Sequence, residues 1–426
     1  MTFTAPGGPG YHRRVVDRMD QIVVVGASLA GVRACGGLRA AGYSGAITLV
    51  GDETEPPYDR PPLSKKVLAG EWEPDRIGLF RDGEVEALQI DLRCGAAATG
   101  LSTAARTVTL ADGTSLPFDG LVVATGSATR RLPDQLVDPS VFELRSLADS
   151  LALRTRLLGG GQQVTIVGAG FIGLEVAATA RQLGNEVVVL EGLPAPLIRG
   201  LGAEMGRAVT TIHADHGVPI QCGVSVRGIA RVGTSLVVSI TDATGAAQEI
   251  ESDLVVVGIG VSPVTGWLQG SGLEIRDGVV CDATLNAGVA GVYAAGDVAR
   301  WPNAQFDGEE MRVEHWTNAS EQGLHVAKNL VAEANGEATT AYSAVPFFWS
   351  EQYGMRVQFM GRAAGDDVVR IVKGSVEDRS FLALYGKHGR LRGALALAMP
   401  KPLMQTRKML LEGLTFDEAI EAAEAL

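Results

Sequence analysis

Two segments of the sequence combine glycines with apolar residues in a pattern that suits the binding of a nucleotide pyrophosphate. Residues 21–31 read Gln-Ile-Val-Val-Val-Gly-Ala-Ser-Leu-Ala-Gly, and residues 163–173 read Gln-Val-Thr-Ile-Val-Gly-Ala-Gly-Phe-Ile-Gly. In each segment a β-branched run, typical of a strand buried on both faces, is followed by glycines and then by a helical pattern. Small residues allow a turn in which backbone N–H groups and the positive helix N-terminus meet a pyrophosphate.

An acidic residue follows each segment at the distance expected of a βαβ dinucleotide-binding unit. A second apolar strand is predicted at residues 46–50 in the first unit and at residues 187–190 in the second, and Asp52 and Glu191 come next. The interval from the first glycine to the acid is 26 residues in the first unit and 23 residues in the second. A carboxylate at this strand end accepts hydrogen bonds from a ribose hydroxyl. Two such units predict two dinucleotide sites in one chain.

The first unit departs from the usual pattern at Ser28, which stands where a second glycine is common. A serine places a Cβ atom where the pyrophosphate comes closest. Its hydroxyl can instead donate a hydrogen bond to a phosphate oxygen, so the standard ligand geometry does not carry over directly to this turn.

Three further apolar runs that end in glycine turns indicate how these units are arranged. They lie at residues 121–126, 254–260 and 291–297, on either side of the second unit, which predicts that this unit is inserted within the first domain. The predicted fold class is α/β, with two Rossmann-like dinucleotide-binding domains and a smaller α+β C-terminal domain that ends in an amphipathic helix. The predicted boundaries are an extension at 1–18, a first domain at 19–127 and 258–335, an inserted domain at 128–257, and a C-terminal domain at 336–426.

Composition and charge exclude several classes of function. The formal net charge of −12 over 426 residues argues against a nucleic-acid partner, whose phosphates would be repelled. No apolar run approaches the ~20 residues that span a bilayer, the acidic face of the last helix argues against membrane docking, and no apolar signal core precedes Met19. Residues 1–18 are therefore interpreted as a disordered extension or a misassigned start.

The cysteines do not form a redox or metal-binding motif. Cys35, Cys94, Cys222 and Cys281 are far apart, and no C-x-x-C or C-x₄-C pair exists. A redox-active dithiol and a cysteine-ligated iron–sulfur cluster are therefore not expected, and four inert thiols favour a reducing cytoplasm.

Four further blocks make the chain resemble a known family. They are Pro-Tyr-Asp-Arg-Pro-Pro-Leu-Ser-Lys at 57–65, Gly-Asp at 296–297, Arg-Val-Glu-His-Trp-Thr-Asn at 312–318, and Phe-Trp-Ser-Glu-Gln-Tyr at 348–353. Together with the two glycine turns, they resemble the two-dinucleotide flavoproteins, and within these the ferredoxin-reductase branch that serves putidaredoxin, rubredoxin and biphenyl-type dioxygenases. The resemblance covers nearly the whole chain after residue 19.

The resemblance implies a set of cofactor-binding residues. The first domain would bind FAD and the inserted domain would bind NADH, while the C-terminal domain would form an interface. The residues implied for FAD are Gly26, Ser28, Ala30, Gly31, Asp52, Arg60, Lys65, Ala98, Thr125, Gly126, Arg145, Gly296, Asp297 and Trp316. Those implied for NADH and the nicotinamide slot are Gly168, Gly170, Phe171, Ile172, Gly173, Glu175, Glu191, Ile259 and Gly260.

Two residues are predicted to take part in catalysis. The resemblance implies that Lys65 lies beside the isoalloxazine of FAD and forms an ion pair with Glu175; otherwise Lys65 would be a solvated loop lysine and Glu175 one half of a helix-surface pair. A positive lysine there would stabilise negative charge on reduced flavin. NADH is expected in preference to NADPH, because the carboxylate of Glu191 accepts from a free 2′-hydroxyl and repels a 2′-phosphate, and no basic residue follows until Arg199.

The predicted function is transfer of electrons from NADH, one at a time, to a small acidic iron–sulfur ferredoxin that serves an oxygenase. Such a partner would dock on a local basic patch, for which the candidates are Arg300, Arg312, Lys401, Arg407 and Lys408. The main alternative is an NADH-binding regulatory flavoprotein similar to apoptosis-inducing factor. A disulfide reductase and a membrane quinone reductase are less consistent with the cysteine positions and with the missing apolar anchor. A monomer and a homodimer are both compatible with the sequence.

Overall fold

A computed structural model describes residues 19–133 and 137–426, so the predicted extension at 1–18 lies outside the described residues. The first glycine segment lies at the centre of a five-stranded parallel sheet, the first sheet. In spatial order its strands are Val292–Ala294, Gly120–Val123, Gln21–Val25, Ala46–Val50 and Ile90–Arg93. The helix Leu29–Ala40 follows the central strand and packs against the helix Trp316–Ala334.

The second glycine segment forms the centre of another five-stranded parallel sheet, the second sheet. In spatial order its strands are Ile220–Cys222, Glu186–Glu191, Gln163–Val167, Leu254–Val257 and Val141–Phe142. The helix Phe171–Gln182 follows the central strand. Strand residues Val164–Val167 are buried, as the continuous apolar run predicted for a sheet covered on both faces.

The order of the strands along the chain confirms the predicted insertion. All strands of the second sheet lie in the sequence between Gly120–Val123 and Val292–Ala294, which are neighbours in the first sheet. Ser127–Thr129 and Val261–Pro263 pair as an antiparallel ribbon where the chain leaves and re-enters the first domain. The predicted fold class is therefore confirmed, while the numerical domain boundaries stay a prediction.

The C-terminal sheet has five antiparallel strands. In spatial order these are Phe347–Gln352, Met355–Gly361, Arg390–Leu397, Ser380–Lys387 and Val368–Ser375. One face packs in a shared core with the helix Ile198–Asp215, through residues such as Phe359 and Tyr385. The other face is covered by the helices Pro400–Glu412 and Phe416–Glu424, the second of which is the predicted amphipathic helix.

The remaining elements are short or form side sheets. Three-stranded antiparallel sheets are formed by Ala98–Ser102, Thr107–Leu110 and Ser115–Pro117, and by Ser225–Val232, Ser235–Thr241 and Ala247–Ser252. A four-stranded sheet contains Ile275–Arg276, Gly278–Val280, Ala299–Asn303 and Glu309–Arg312. The other helices are Glu84–Ala87 and Leu147–Leu157, with 3₁₀ turns at Pro61–Ser64, Pro74–Ile77, Gly266–Leu268, Gly296–Val298 and Ala304–Phe306. Across residues 19–133 and 137–426, every helix is too short or too polar to cross a membrane.

Candidate functional site

A single large cavity connects the two glycine turns. Its volume is about 1300 Å³, and its wall includes Gly26 and Ser28 from the first turn and Gly168 and Gly170 from the second. Pockets for one small ligand usually measure roughly 300–1,000 Å³. The cavity is therefore large enough for more than one ligand, and both predicted pyrophosphate sites open into it.

The first turn is shaped by glycines that no larger residue can replace. Gly26 has a φ of +117°, and an added Cβ would lie 2.1 Å from the carbonyl oxygen of Ala124. A Cβ on Gly31 would lie 2.0 Å from the carbonyl oxygen of Gly26. The strand and the helix therefore approach each other closely, and the N-terminus of the helix, at Ser28 and Leu29, lies in the cavity wall.

Ser28 is accommodated in the first turn because its backbone is extended and its side chain contacts Arg60. The φ of Ser28 is −118°, which any residue adopts, and Arg60 Nε donates to Ser28 Oγ at 3.4 Å. Arg60 also donates to Glu53 Oε1 at 2.5 Å and to the carbonyl oxygen of Arg145 at 2.6 Å. The Tyr58 hydroxyl donates to the other oxygen of Glu53. Arg60 therefore crosses the first turn as a fixed cation, which suits a pyrophosphate.

The second turn has the same backbone geometry but is open to ligand approach. Gly168 has a φ of +107°, and an added Cβ would lie 2.3 Å from the carbonyl oxygen of Gly258. A Cβ on Gly170 would meet nothing within 4 Å. Glu191 Oε2 accepts from the backbone N–H of Ala169 at 2.7 Å, and Oε1 accepts from Leu193 at 2.8 Å. The carboxylate is thus held beside the turn, where a ribose would lie.

The predicted ion pair between Lys65 and Glu175 is present at the cavity wall. Lys65 Nζ lies 2.6 Å from Glu175 Oε2, and the two side chains are 17% and 3% exposed. Ser64 Oγ donates to the same carboxylate oxygen at 2.5 Å, and Ser350 Oγ donates to Oε1 at 2.7 Å. Both carboxylate oxygens of Glu175 therefore accept from donors, which compensates for the burial of its charge.

The cavity wall also contains a partly buried acid, Asp297, and two aromatic residues, Trp316 and Trp349. Asp297 Oδ2 lies 3.7 Å from Arg145 Nη2, and burial raises the pKa of Asp297. Trp316 begins the helix Trp316–Ala334 and donates from Nε1 to Asp59 Oδ1 at 2.6 Å. Its ring lies edge-on to Trp349, with centroids 5.9 Å apart. The N-terminus of this helix therefore opens into the cavity beside a rigid aromatic wall.

Most residues predicted from the sequence line this cavity. The two that do not are Gly31, whose role is close packing, and Ala98, which begins a strand of a side sheet. The predicted residues in the wall are Gly26, Ser28, Ala30, Asp52, Arg60, Lys65, Thr125, Gly126, Arg145, Gly168, Gly170, Phe171, Ile172, Gly173, Glu175, Glu191, Ile259, Gly260, Gly296, Asp297 and Trp316.

Sequence reasoning missed the side chains that support these residues. Asp59, Ser64 and Ser350 each hold a predicted site residue by a hydrogen bond. All three lie inside the blocks at 57–65 and 348–353, so the blocks themselves were the signal. The four cysteines are free thiols, and none belongs to the wall formed by the described residues.

Comparisons with known proteins agree with this geometry. The pyridine nucleotide-disulphide oxidoreductase family matches residues 20–323, and the reductase C-terminal family matches residues 347–426. Rhodocoxin reductase of Rhodococcus erythropolis is 36% identical over 391 residues, covering 91% of this chain and 89% of the relative. The ferredoxin–NAD(+) reductase component of the anthranilate 1,2-dioxygenase system of Burkholderia cepacia is 34% identical, covering 92% of this chain and 95% of the relative.

A solved structure gives the same result. The covalent putidaredoxin reductase–putidaredoxin complex matches with a TM-score of 0.86 at 30% identity, covering 96% of this chain and 99% of that chain. The chain belongs to the pyridine nucleotide-disulphide oxidoreductase family, as a ferredoxin–NAD reductase that uses FAD and NADH. The family, enzyme class and cofactors predicted from the sequence are confirmed.

Proposed function

We propose that this reductase moves electrons from NADH through FAD to a small acidic iron–sulfur ferredoxin that serves an oxygenase. The observation that carries the proposal is one cavity that joins two dinucleotide turns and has the buried Lys65–Glu175 pair in its wall. The names of the similar proteins, which include reductases of dioxygenase systems, support the same class of acceptor.

The two turns are assigned to different cofactors. The first turn, with Arg60 and Asp297, would hold FAD, and the second turn, with Glu191, would hold NADH. FAD, when bound, supplies the redox chemistry: it can accept two electrons from NADH and pass them on one at a time. The protein contributes position and charge: it fixes the pyrophosphates and presents a cation at the reacting edge.

Lys65 is the cation at that edge. Because the buried carboxylate of Glu175 lies 2.6 Å from Lys65 Nζ, it holds the ammonium in one orientation at the cavity wall. A fixed positive charge stabilises negative charge that develops nearby, and it needs no reorganisation during the reaction. Lys65 and Glu175 therefore serve as the catalytic pair.

The choice of NADH rests on Glu191. Its carboxylate would accept from a free 2′-hydroxyl and repel a 2′-phosphate. Arg199 and Arg227 also lie in the wall of this cavity. Their distance from Glu191 along the sequence gave no sign that they would share a cavity with it. Kinetics with both nucleotides test the assignment: a marked preference for NADH supports it, and equal efficiency with NADPH contradicts it.

The ferredoxin would dock on the helix Pro400–Glu412. Lys401, Arg407 and Lys408 are exposed on this helix, and of these Lys408 lies 3.6 Å from Glu412 in a largely exposed pair. Arg300 and Arg312 are weaker candidates, because both are paired with Asp277 and other acids, and Arg312 is only 9% exposed. A cytoplasmic location is part of this proposal, and the four free thiols support it because they suit a reducing compartment.

An assay of the purified yellow protein tests the proposed function. NADH-driven cytochrome c reduction is measured with and without small ferredoxins from the same genome. Strong stimulation by one ferredoxin supports the proposal and identifies the partner. Slow turnover with every ferredoxin would favour the regulatory flavoprotein instead.

A further inference from the structure

A buried chain of hydrogen bonds leads from Glu175 into the interface between the C-terminal sheet and the helix Ile198–Asp215. Ser350 Oγ lies 2.7 Å from Glu175 Oε1, and Gln352 Nε2 lies 3.1 Å from Ser350 Oγ. Gln352 Oε1 lies 2.8 Å from His213 Nε2, and the Tyr353 hydroxyl lies 3.1 Å from His213 Nδ1. We call Ser350, Gln352, His213 and Tyr353 the interface chain.

The interface chain has no access to water except at its outer end. Ser350 and His213 are 0% exposed and Gln352 is 1% exposed, whereas Tyr353 is half-buried and stacks on His216 with ring centroids 3.8 Å apart. A buried polar group without a hydrogen-bond partner lowers the stability of the folded protein. Because each member of the interface chain is hydrogen-bonded to the next, the four side chains hold one another in one arrangement.

The chemistry of each link fixes the direction of the chain. The Gln352 amide nitrogen donates to Ser350, so its oxygen faces His213 and must accept from Nε2–H. A neutral His213 then accepts at Nδ1 from the Tyr353 hydroxyl. Burial lowers the pKa of His213 to about 4, which keeps the ring neutral near pH 7. Ser350, which accepts from Gln352, is left to donate its own proton to Glu175.

All four dipoles therefore point at the Glu175 carboxylate. Hydrogen bonds in such a series polarise one another, and the last one stabilises the charge that it meets. The carboxylate in turn holds Lys65 at the cavity wall.

We propose that the interface chain positions the Lys65–Glu175 pair, so that the C-terminal domain acts on the reaction with NADH as well as forming an interface. Ser350, Gln352, His213 and Tyr353 are positioning residues that act through Glu175. This rests on the role of Lys65 in the proposed function. It also accounts for three polar residues of the block at 348–353 whose side chains do not themselves line the cavity.

The first test compares Gln352→Leu and His213→Leu with the matched control Tyr385→Phe. Tyr385 also joins the C-terminal sheet to the helix Ile198–Asp215, by donating to the carbonyl oxygen of Leu201 at 2.8 Å, but within the described part of the chain no series of hydrogen bonds leads from it to Glu175. We expect the two interface-chain variants to lower the limiting rate of flavin reduction about tenfold, equivalent to about 1.4 kcal/mol. The apparent Kd for NADH should change less than about twofold, because uniform binding is unaffected.

A second readout does not depend on turnover. The midpoint potential of the bound FAD should fall in Gln352→Leu and in His213→Leu, because these variants leave the positive charge of Lys65 less firmly positioned. It should stay unchanged in Tyr385→Phe. His213→Gln keeps a donor at the position of Nε2, and it should restore most of the rate and the potential. Unchanged rate and potential in Gln352→Leu, together with a loss of thermal stability like that of Tyr385→Phe, would show that the chain is only structural.

The wild-type protein provides a third test that no folding defect can obscure. Imidazole ¹⁵N resonances of the FAD-containing protein, with His213 assigned through His213→Gln, report the tautomer. The chain requires the Nε2–H form at neutral pH. A Nδ1–H form would reverse the links at His213 and overturn the proposal, while leaving ferredoxin reduction by the enzyme untouched.

Discussion

The two glycine turns arise from one sequence pattern, but their surroundings differ. At the first turn, the Arg60 side chain lies across Ser28 and is held by Glu53 and by the backbone of Arg145. At the second turn, a Cβ on Gly170 would meet nothing, and the neighbouring Ile172 is 49% exposed. The pattern produces the same strand, turn and helix in both cases, while side chains from other segments of the sequence give each turn different surroundings.

This difference fits the proposed roles of the two turns: FAD would stay bound at the first turn, and NADH would bind and leave at the second. We expect a ligand under Arg60 to be held by this partly buried set of hydrogen bonds, whereas among the described residues no such side chain covers the second turn. The account therefore predicts that damage to the first turn removes the cofactor, and that damage to the second turn changes only the handling of the substrate.

The largest effect is expected from Gly26→Ala. Alanine at a φ of +117° is strained by about 1–3 kcal/mol, and its Cβ would also lie 2.1 Å from the carbonyl oxygen of Ala124. We expect the variant to lose FAD and to melt at a lower temperature, as measured by visible absorbance and thermal unfolding. Full FAD content would show that the first turn is not the retained site.

Lys65→Met should have the next largest effect, because it leaves Glu175 buried without its cation. Removal of one partner of a buried pair costs about 3–5 kcal/mol. Flavin reduction by NADH in a stopped-flow experiment should slow by at least about a hundredfold, or FAD should be lost. Lys66→Met is the control: Lys66 is 41% exposed and pairs with Glu71, and exposed pairs contribute about 0–1 kcal/mol. Similar behaviour of the two variants would remove the catalytic role of Lys65.

A smaller effect is expected from Glu191→Ala, which acts on the second turn alone. Loss of a charged acceptor for the ribose should raise the KM for NADH about tenfold, since such hydrogen bonds contribute about 1.5–3 kcal/mol. The discrimination between NADH and NADPH should shrink at the same time, while FAD content stays constant. An unchanged ratio of kcat/KM for the two nucleotides would show that another residue selects the cofactor.

The smallest effect is expected from Gly170→Ala, the counterpart of the change at Gly26. Gly170 has a φ of −80° and free space around an added Cβ, so alanine is tolerated by the protein. Stability and FAD content should match the wild type, within about 0.5 kcal/mol, as for other unstrained surface changes. The KM for NADH should rise several-fold, because the methyl group stands where the pyrophosphate would approach. Loss of FAD here would mean that the two turns are not functionally distinct.

The fold was largely predictable because its signals are local. The strand, turn, helix and acid of each dinucleotide unit lie within about 30 residues of one another, and both units were found. The order of the glycine runs predicted the insertion, and the family blocks predicted that Lys65 pairs with Glu175 across 110 positions of the sequence.

The support around the site was not predictable, because it depends on contacts between separate domains. Ser350 reaches Glu175 across 175 positions, and His213 reaches Gln352 across 139. No periodicity or spacing in the sequence relates such pairs. The sequence alone therefore does not distinguish Ser350 or His213 from an ordinary core residue. Ala98 and Gly31 lie outside the cavity wall for a different reason: a motif match does not specify which atoms face a cavity.

The most direct test of the two-turn account is a crystal structure of the yellow protein soaked with NAD⁺. The account predicts the FAD pyrophosphate at the N-terminus of the helix Leu29–Ala40 under Arg60, and the NAD⁺ pyrophosphate at the N-terminus of the helix Phe171–Gln182 beside Glu191. FAD on the second turn, or NAD⁺ bound away from both turns, would contradict it.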